Sequence, residues 1–567
     1  MKLYSSQPEL ALPSPGTDEG VLLALDQAPP PSSSMLRVAE LRAMPNPSLL
    51  GDLLGCDQIW APSSLLNDLE TYGLPAHRLR GLDSEDQRQA LADQMKPYQD
   101  VGVVWRGPFG RNSSLSWVNS MTVKALEEQG WRILLQPVGA VASTLKVPAI
   151  TQSWPVDMLP ASEGPLAIYA PWEYVSVPQT WLDNGPRAAN RWLCPSDYCL
   201  QSMISSGLGE DWVSVIPIGV DSEAFSPQGP ALIERQQKAE TVFLFVGGTI
   251  YRKGLDILQA AWEEAFSADD PVRLIIKDFG SSSHYAGQNT LSQLQEWAAE
   301  PQHAAVQIID DHLGPEQMPD LYRSADVGVF PYRGEGFCMP ALEAMSCGLP
   351  IIYPDHGPSI EYCRQGGWRV ASSARQLQAP PDIELVAPPI VHEIESSALV
   401  EALRAACQPQ QRQEKALAAR QEALQCSWAK AGQQAALSLS ALKEEEANYR
   451  LKVSRPQGKQ TIVAIDGRQA GQFGQLLKQL PAHDDVTFAL HCQPGASTKI
   501  EQELISRLGA FQLETDVTIV ESEDWTAMAL GCDAVLLLGA AAQPNIGLPQ
   551  LNADALQLWL QANNEHR

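Results

Sequence analysis

The chain has 567 residues, 44 % of them hydrophobic and 19 % charged, the make-up of a globular protein large enough for several domains. A formal net charge of -27 argues against nucleic-acid binding, which needs clustered Lys and Arg. Ten scattered cysteines with no Cys-x-x-Cys, and nine unclustered histidines, argue against a disulfide framework or a metal centre. No apolar run approaches the roughly 18–20 residues of a membrane span. The N-terminus has only Lys2 before a polar, Pro-rich stretch and lacks the apolar core of a signal peptide, so a cytoplasmic protein is expected.

Residues 1–98 form an N-terminal flank, interrupted by a Pro and Ser cluster at Pro29–Ser34. From Val101 to about Ala447, short apolar runs alternate with amphipathic ones, the pattern of repeated βα units and a parallel sheet. In the first half, residues 99–232, Val101–Trp105 is a predicted strand, Arg106–Ser114 a glycine-containing loop and Leu115–Gln129 a helix closed by Gly130. Trp131–Val138 and Leu166–Trp172 read as strands, Asp197–Ser206 as a helix stopped by Gly207, and Val213–Ile218 as the next strand.

The second half, residues 233–449, alternates more clearly. Strands are predicted at Val242–Val246, Leu274–Lys277, Val306–Ile309, Val327–Phe330 and Ile351–Tyr353. Helices are predicted at Leu255–Phe266, Thr290–Glu300, from Pro315 onward, and at Pro340–Cys347. Breaks are expected at Gln408–Gln413 and Lys443–Lys459, and residues 455–567 form a C-terminal flank. Two successive doubly wound halves would face each other across a cleft that binds ligand.

Both flanks carry echoes of the middle. Trp60-Ala-Pro-Ser63, Gly73-Leu74 and Gly81-Leu82-Asp83 resemble Leu193-Cys-Pro-Ser196, Gly207-Leu208 and Gly219-Val220-Asp221. Val517–Val520 through Cys532–Val535 parallels Val306–Ile309 through Ala325–Val327. Worn copies of the same units and unrelated α/β segments of like composition both fit.

Two loops concentrate the candidate chemistry. In Glu335-Gly336-Phe337-Cys338-Met339-Pro340-Ala341-Leu342-Glu343, two carboxylates lie near a helix start, and the amides of Gly336 to Met339 share that space with the positive end of the helix dipole. Amides suit phosphate and carboxylates suit sugar hydroxyls. Glu343 alone also reads as a dipole-compensating residue, and Glu335 alone as a plain loop residue. In Gly247-Gly248-Thr249-Ile250-Tyr251-Arg252-Lys253-Gly254, glycines allow close backbone approach, and Arg252 with Lys253 would neutralise a diphosphate; a solvated cation pair is the plainer alternative.

Together with Cys194-Pro195-Ser196, Gly207 and Pro217-Ile218-Gly219-Val220-Asp221, these strings resemble family-4 retaining glycosyltransferases of the GT-B fold, the glycosyl transferases group 1. The resemblance covers about Val101 to Ala447. It implies two facing Rossmann-like α/β domains, with extra α/β segments at both ends here. It also implies transfer of a sugar, with retention, from a nucleotide-sugar donor to an acceptor, with no metal and no further cofactor.

By residue, the resemblance implies that Lys253 binds the donor diphosphate and that Glu335 lies beside the donor sugar. Gly336, Phe337, Cys338 and Met339 would contact sugar and phosphate through their amides, and Glu343 the ribose. Leu313, in Asp311-His312-Leu313, matches the segment that meets the base. Gly110, in Gly107-Pro108-Phe109-Gly110, belongs to a loop that would close over the diphosphate.

Two positions depart from the family. Gly248 stands where an Arg is usual, and Arg252 is the nearby cation able to replace it. No His occurs between His77 and His284, which leaves Glu173 as the polar candidate of the first domain; a rim carboxylate without a role is the alternative. A non-catalytic nucleotide-sugar-binding or scaffold protein is the alternative; another enzyme on this architecture, such as a sugar-nucleotide epimerase or phosphorylase, has no cofactor-lysine or hydride-transfer signature to promote it. The flanks are candidates for contact with a membrane surface or a protein partner.

Overall fold

The computed structural model describes residues 20–25, 35–45, 47–84 and 86–87, then 101–445 apart from 111–112, 139, 141, 144, 280–289 and 378–382. Beyond residue 445 it describes five strands, Phe473 and Leu476. The expected breaks at Pro29–Ser34 and, beyond residue 445, Lys443–Lys459 lie outside the described residues.

The N-terminal flank is a four-stranded parallel sheet of β1 (Gly20–Leu25), β2 (Met35–Glu40), β3 (Gln58–Ala61) and β4 (Leu79–Gly81), in that order. Helices α1 (Pro47–Leu54) and α2 (Leu66–Thr71) connect its strands. Leu53, Leu69, Leu74 and Leu79 join Trp105, Leu126, Ile133 and Leu135 in one buried core, so the flank packs on the first domain. Two ion pairs tie them: Arg78 to Glu127 at 2.7 Å and Arg132 to Asp57 at 2.8 Å.

The first domain's parallel sheet contains β5 (Val103–Arg106), β6 (Ile133–Gln136), β7 (Ala149–Thr151), β8 (Leu166–Tyr169), β9 (Arg191–Cys194) and β10 (Val213–Val215), in the order β10-β9-β8-β7-β5-β6. Its helices are α3 (Ser114–Glu128), α4 (Gln179–Ala188) and α5 (Asp197–Ser205). Ser113 and Ser196 cap α3 and α5, each side chain accepting from the amide three residues on at 3.2 Å. Strands are shorter than the apolar runs suggest; Trp131–Val138 contributes only Ile133–Gln136.

The second sheet contains β11 (Thr241–Gly247), β12 (Val272–Asp278), β13 (Ala305–Ile309), β14 (Val327–Val329), β15 (Ile351–Pro354) and β16 (Gly367–Val370), in the order β13-β12-β11-β14-β15-β16. Between them run α6 (Leu255–Ala265), α7 (Leu291–Ala298), α8 (Gln317–Arg323), α9 (Met339–Ser346) and the single turn α10 (Ser359–Tyr362). The strand order reverses between β11 and β14, so the loops leaving them flank the crevice where such folds bind ligand. The helix expected from Pro315 begins at Gln317: Pro315 lies in the preceding turn, and Pro319 occupies the first helical turn, where its missing N–H costs nothing.

An antiparallel hairpin follows, β17 (Ser372–Gln376) with β18 (Ile390–Ile394), then α11 (Ser396–Ala406), α12 (Pro409–Ala423) and α13 (Trp428–Lys443). The break expected at Gln408–Gln413 is instead the start of α12. Pro409 sits at its N-terminus, where a proline begins a helix rather than ending it. α13 leaves the second domain and packs on α3, close enough that a Cβ on Gly432 would lie 2.7 Å from that of Ala125.

Of the C-terminal flank, β19 (Thr461–Asp466), β20 (Val486–Cys492), β21 (Asp516–Glu521), β22 (Ala534–Leu536) and β23 (Gln550–Leu551) form a parallel sheet in the order β21-β20-β19-β22-β23. The protein is thus mixed α/β, with two six-stranded parallel sheets of Rossmann type at its centre. Among the described residues, no helix is long and apolar enough to cross a membrane.

Candidate active site

The two central domains meet through the carboxyl ends of their sheets. Gly334 and Gly336 of the second domain press on the loop that follows β8; a Cβ on Gly334 would lie 2.3 Å from the Glu173 carbonyl, and one on Gly336 2.9 Å from Pro171. Ser196 at the start of α5 donates to the Gly336 carbonyl at 2.7 Å. The Glu361 carboxylate accepts from the amides of Asp197 and Tyr198 at 3.0 and 2.8 Å, so the second domain supplies an anion to the positive end of α5.

A charged cluster lies at this junction. The turn from Tyr251 to Lys253 ends at Gly254, whose φ of +75° admits few side chains; a Cβ there would stand 2.0 Å from the Pro331 carbonyl. Lys253 pairs with Glu335. Arg252 reaches the same carboxylate at 3.3 Å, the Gly334 carbonyl at 2.8 Å and, across the domain boundary, Glu173 at 3.5 Å. Burial pushes the Glu335 carboxyl up, but Lys253 and then Arg252 outweigh it and hold the group below the ordinary carboxylate value. Glu335 is therefore an anion at neutral pH.

The β14–α9 loop orients its amides by anchoring its carbonyls. Gly336 O accepts from Ser196 and from the Cys199 thiol, and Phe337 O and Cys338 O accept from the Tyr362 hydroxyl at 3.1 and 3.0 Å. In trans peptides N–H lies opposite C=O, so the amides of Phe337, Cys338 and Met339 turn the other way. Cys338 adopts φ +64° at the helix start, a conformation this hydrogen-bonding holds in place.

Glu343, a turn inside α9, stands apart from the cluster. It is half-buried and accepts from the Tyr322 hydroxyl at 2.7 Å. Burial raises its carboxyl from 4.5 to about 7, and the Tyr322 bond offsets only part of that rise. Leu313 lies on the loop between β13 and α8, packed against the core that also contains Tyr322 and Leu342.

The structure therefore brings Arg252, Lys253, Glu173 and Glu335 together and sets Glu343 and Leu313 farther along the same domain. Gly110 is the displaced member. A Cβ there would lie 2.6 Å from the Gly73 Cα and 2.8 Å from the Glu70 carbonyl, so Gly110 packs on the flank instead of closing over the cluster. Positive φ at both glycines, +108° and +107°, permits that approach.

Sequence reasoning missed Arg333, buried at 1 % exposure. Its guanidinium spans both oxygens of Asp256, donates to the Tyr251 carbonyl at 2.7 Å and lies 3.8 Å over the Tyr251 ring, fixing the turn that presents Arg252 and Lys253. Tyr322, Tyr362 and Glu361 were missed too. No local spacing announces them, because each acts on a segment remote in sequence.

Residues 233–379 match the family model described as Glycosyl transferases group 1, so the chain carries such a domain there. A D-inositol 3-phosphate glycosyltransferase of Segniliparus rotundus is 30 % identical over 152 residues, 25 % of this chain and 31 % of that protein. A mannosylfructose-phosphate synthase of Agrobacterium fabrum is 29 % identical over 155 residues, 27 % of this chain and 34 % of that protein. The chain thus spans about a third of the length of these relatives. Among solved structures, a glycosyltransferase of Rickettsia africae is 12 % identical at a TM-score of 0.46, covering 61 % of this chain and all of that one. A sucrose-phosphate synthase of Thermosynechococcus elongatus is 15 % identical at 0.46 over the same shares.

Proposed function

We propose that this protein, through the group 1 domain that residues 233–379 form, is a glycosyltransferase. It takes a sugar from a nucleotide-sugar donor and passes it, with retention and without a bound metal, to an acceptor held by the first domain. The carrying observation is the Lys253–Glu335–Arg252 cluster at the carboxyl ends of both sheets. Two cations share the buried Glu335 carboxylate, with Glu173 at the rim beside Arg252, in a site that can exchange the buried carboxylate for a diphosphate.

In this reading the leaving nucleoside diphosphate draws on Lys253, Arg252 and the outward amides of Phe337 to Met339. These groups are fixed beforehand by Arg333 and by the anchored carbonyls, so little reorganisation is needed as charge develops on the leaving oxygen. Glu335, released from Lys253, turns to the donor sugar, and Glu343 takes the ribose hydroxyls. Contact between the domains excludes water and limits hydrolysis of the donor.

The test is incubation of the full chain with a panel of UDP-, GDP- and ADP-sugars, with detection of released nucleoside diphosphate. Release by the wild type that is lost in Lys253→Ala supports the reading. Absence of both nucleotide binding and release across the panel would overturn it.

A further inference from the structure

A cavity of about 400 Å³ lies at the amino ends of β11, β14 and β15, the opposite edge of the second sheet from the Lys253–Glu335 cluster. Its wall contains Pro227 and Gly229 from the segment between β10 and β11, and Arg323 at the end of α8. Asp326 before β14, Gly348 after α9 and Arg412 in the first turn of α12 complete the polar and turning parts of that wall. A space of this size is in the range that holds a small organic ligand.

Three guanidinium groups meet two carboxylates here. Arg235 spans both oxygens of Asp326 at 2.8 and 2.9 Å, and Arg323 pairs with Asp320. Both carboxylates are thereby matched, and among the described residues Arg412 has no ion pair; its partners are a carbonyl and a hydroxyl. One positive charge is left over at the cavity, in a chain whose formal net charge is -27.

The geometry of Arg412 says what that charge can hold. Its Nη1 donates to the Ala406 carbonyl at 2.9 Å and to the Thr241 hydroxyl at 3.4 Å. Nε and Nη2 have no partner among the described residues, and they form the edge through which a guanidinium takes an oxyanion with two parallel bonds. Neither nitrogen is shut away from solvent, in contrast to the buried, unpartnered Nε of Arg78, Arg273 and Arg333. Arg323 stands on the same wall. A Cβ on Gly229 would lie 2.7 Å from its Cζ, so the guanidinium fills the place of the side chain that Gly229 lacks. The rest of the lining is largely apolar, with Ala325, Leu349, Pro409 and Ala416.

We propose that this cavity binds a small phosphate monoester, with Arg412 taking two phosphate oxygens through Nε and Nη2 and Arg323 as the second cation. A phosphate monoester carries a charge of about -1.5 to -2 at neutral pH and three terminal oxygens, enough for two guanidinium groups, whereas a carboxylate has one charge and two oxygens. The apolar lining receives the organic part. The ligand lies at the far edge of the sheet from the Lys253–Glu335 cluster, so it is neither donor nor acceptor, and its binding does not rest on the glycosyltransferase reading.

Calorimetric titration of the full chain with glycerol 3-phosphate tests it, with glycerol and glycerate as the neutral and carboxylate counterparts. Glycerol 3-phosphate should bind, glycerate at least tenfold more weakly, and glycerol not at all. Arg412→Gln should weaken the phosphate ester about tenfold, and Arg412→Lys, which keeps the charge without the planar edge, should lose less. Thermal unfolding shows whether either variant is disturbed, and the lysine variant keeps the test decisive if the glutamine variant is. The Lys253–Glu335 cluster also attracts phosphate, so the same titration is made on Lys253→Ala: binding that survives there and falls in Arg412→Gln assigns the ligand to the cavity. No binding of glycerol 3-phosphate, binding undiminished in both Arg412 variants, or binding lost only in Lys253→Ala would overturn the site. Glycerate binding as tightly as the phosphate ester would overturn the ligand class.

Discussion

Donor affinity should depend on pH through Glu343. Its carboxyl sits at about 7 in the folded chain because burial outweighs the Tyr322 hydrogen bond. Ribose hydroxyls are donors and need the carboxylate form, so binding below about pH 7 must first remove a proton. Affinity should fall nearly tenfold per pH unit, reaching a loss of about a hundredfold near pH 5, or about 2.7 kcal/mol. A nucleotide sugar is the suitable ligand, since its diphosphate is esterified at both ends and does not titrate in this range.

Two other titratable groups of the second domain stay below that window. Glu335 is held below the ordinary carboxylate value, and His356 is pushed down to about 4 by burial and then by His392. Calorimetric titration in buffers of different ionisation enthalpy measures affinity and proton release together. Glu343→Gln should abolish both the slope and the proton. A flat wild-type profile, or an unchanged slope in the variant, would refute the reasoning.

The same carboxyl makes a stability prediction. Its folded value, about 7, lies above the ordinary 4.5, so the folded state holds the proton more tightly, and stability is lost as pH rises from about 4.5 through 7. Glu343→Gln should therefore match the wild type near pH 4 and exceed it above pH 7 by up to about 3 kcal/mol in denaturant unfolding. Lys253→Ala should weaken nucleoside diphosphate binding by about 1.5–3 kcal/mol in calorimetric titration, because it removes one of two charge-assisted contacts. Glu335→Gln should lose most turnover yet bind nucleoside diphosphate more tightly, since the carboxylate no longer competes for Lys253 and Arg252; weaker binding would contradict the exchange. A chain cut to residues 99–449 should be less stable than the whole and prone to aggregate, which thermal unfolding and size-exclusion chromatography measure. Its loss strips Asp57 from Arg132 and Arg78 from Glu127, and bares the core around Trp105 and Leu135.

The second domain was legible because its signals are local. Apolar runs such as Val242–Val246 are buried on both faces of a parallel sheet, so they appear as unbroken strands, and Pro340 with Gly348 bounds α9. What stayed hidden depends on distant partners. The Ala149–Thr151 strand has three residues and no period to detect. The polar run opening α12 contains a helix whose few buried positions are alanines, Ala419 and Ala423, too small to draw an apolar stripe. The charged string Tyr251–Lys253 was visible as a cation pair, but the residue that aims it, Arg333, lies 82 positions beyond Tyr251 and is recognisable only once the sheet has formed.

The flanks show how far a weak echo can be trusted, because identical local causes give identical local structure. Residues 58–82 and 191–216 each run from a strand through a short helix to a glycine at positive φ, φ +107° at Gly73 and +105° at Gly207. In each, the next leucine donates back into the helix at 3.1 Å, Leu74 to Leu69 and Leu208 to Met203. Each then makes one 3-10 turn and returns as a parallel strand, and each locks its exit with the same bond, Leu82 to Ala61 at 2.8 Å and Ile216 to Cys194 at 2.9 Å. At the other end, β21-β20-β19-β22-β23 repeats the order β13-β12-β11-β14-β15, with β21 and β22 at the places the sequence echo pairs with β13 and β14. The chemistry does not repeat with the geometry. β3 ends at Ala61 and is followed by Pro62-Ser63, as β9 ends at Cys194 and is followed by Pro195-Ser196, yet Ser63 donates to its own flank's Asp83, while Ser196 reaches the opposite domain at Gly336. A residue equivalent in sequence and in backbone thus serves the turn in one copy and the domain junction in the other, and the second domain's loop is what makes the difference.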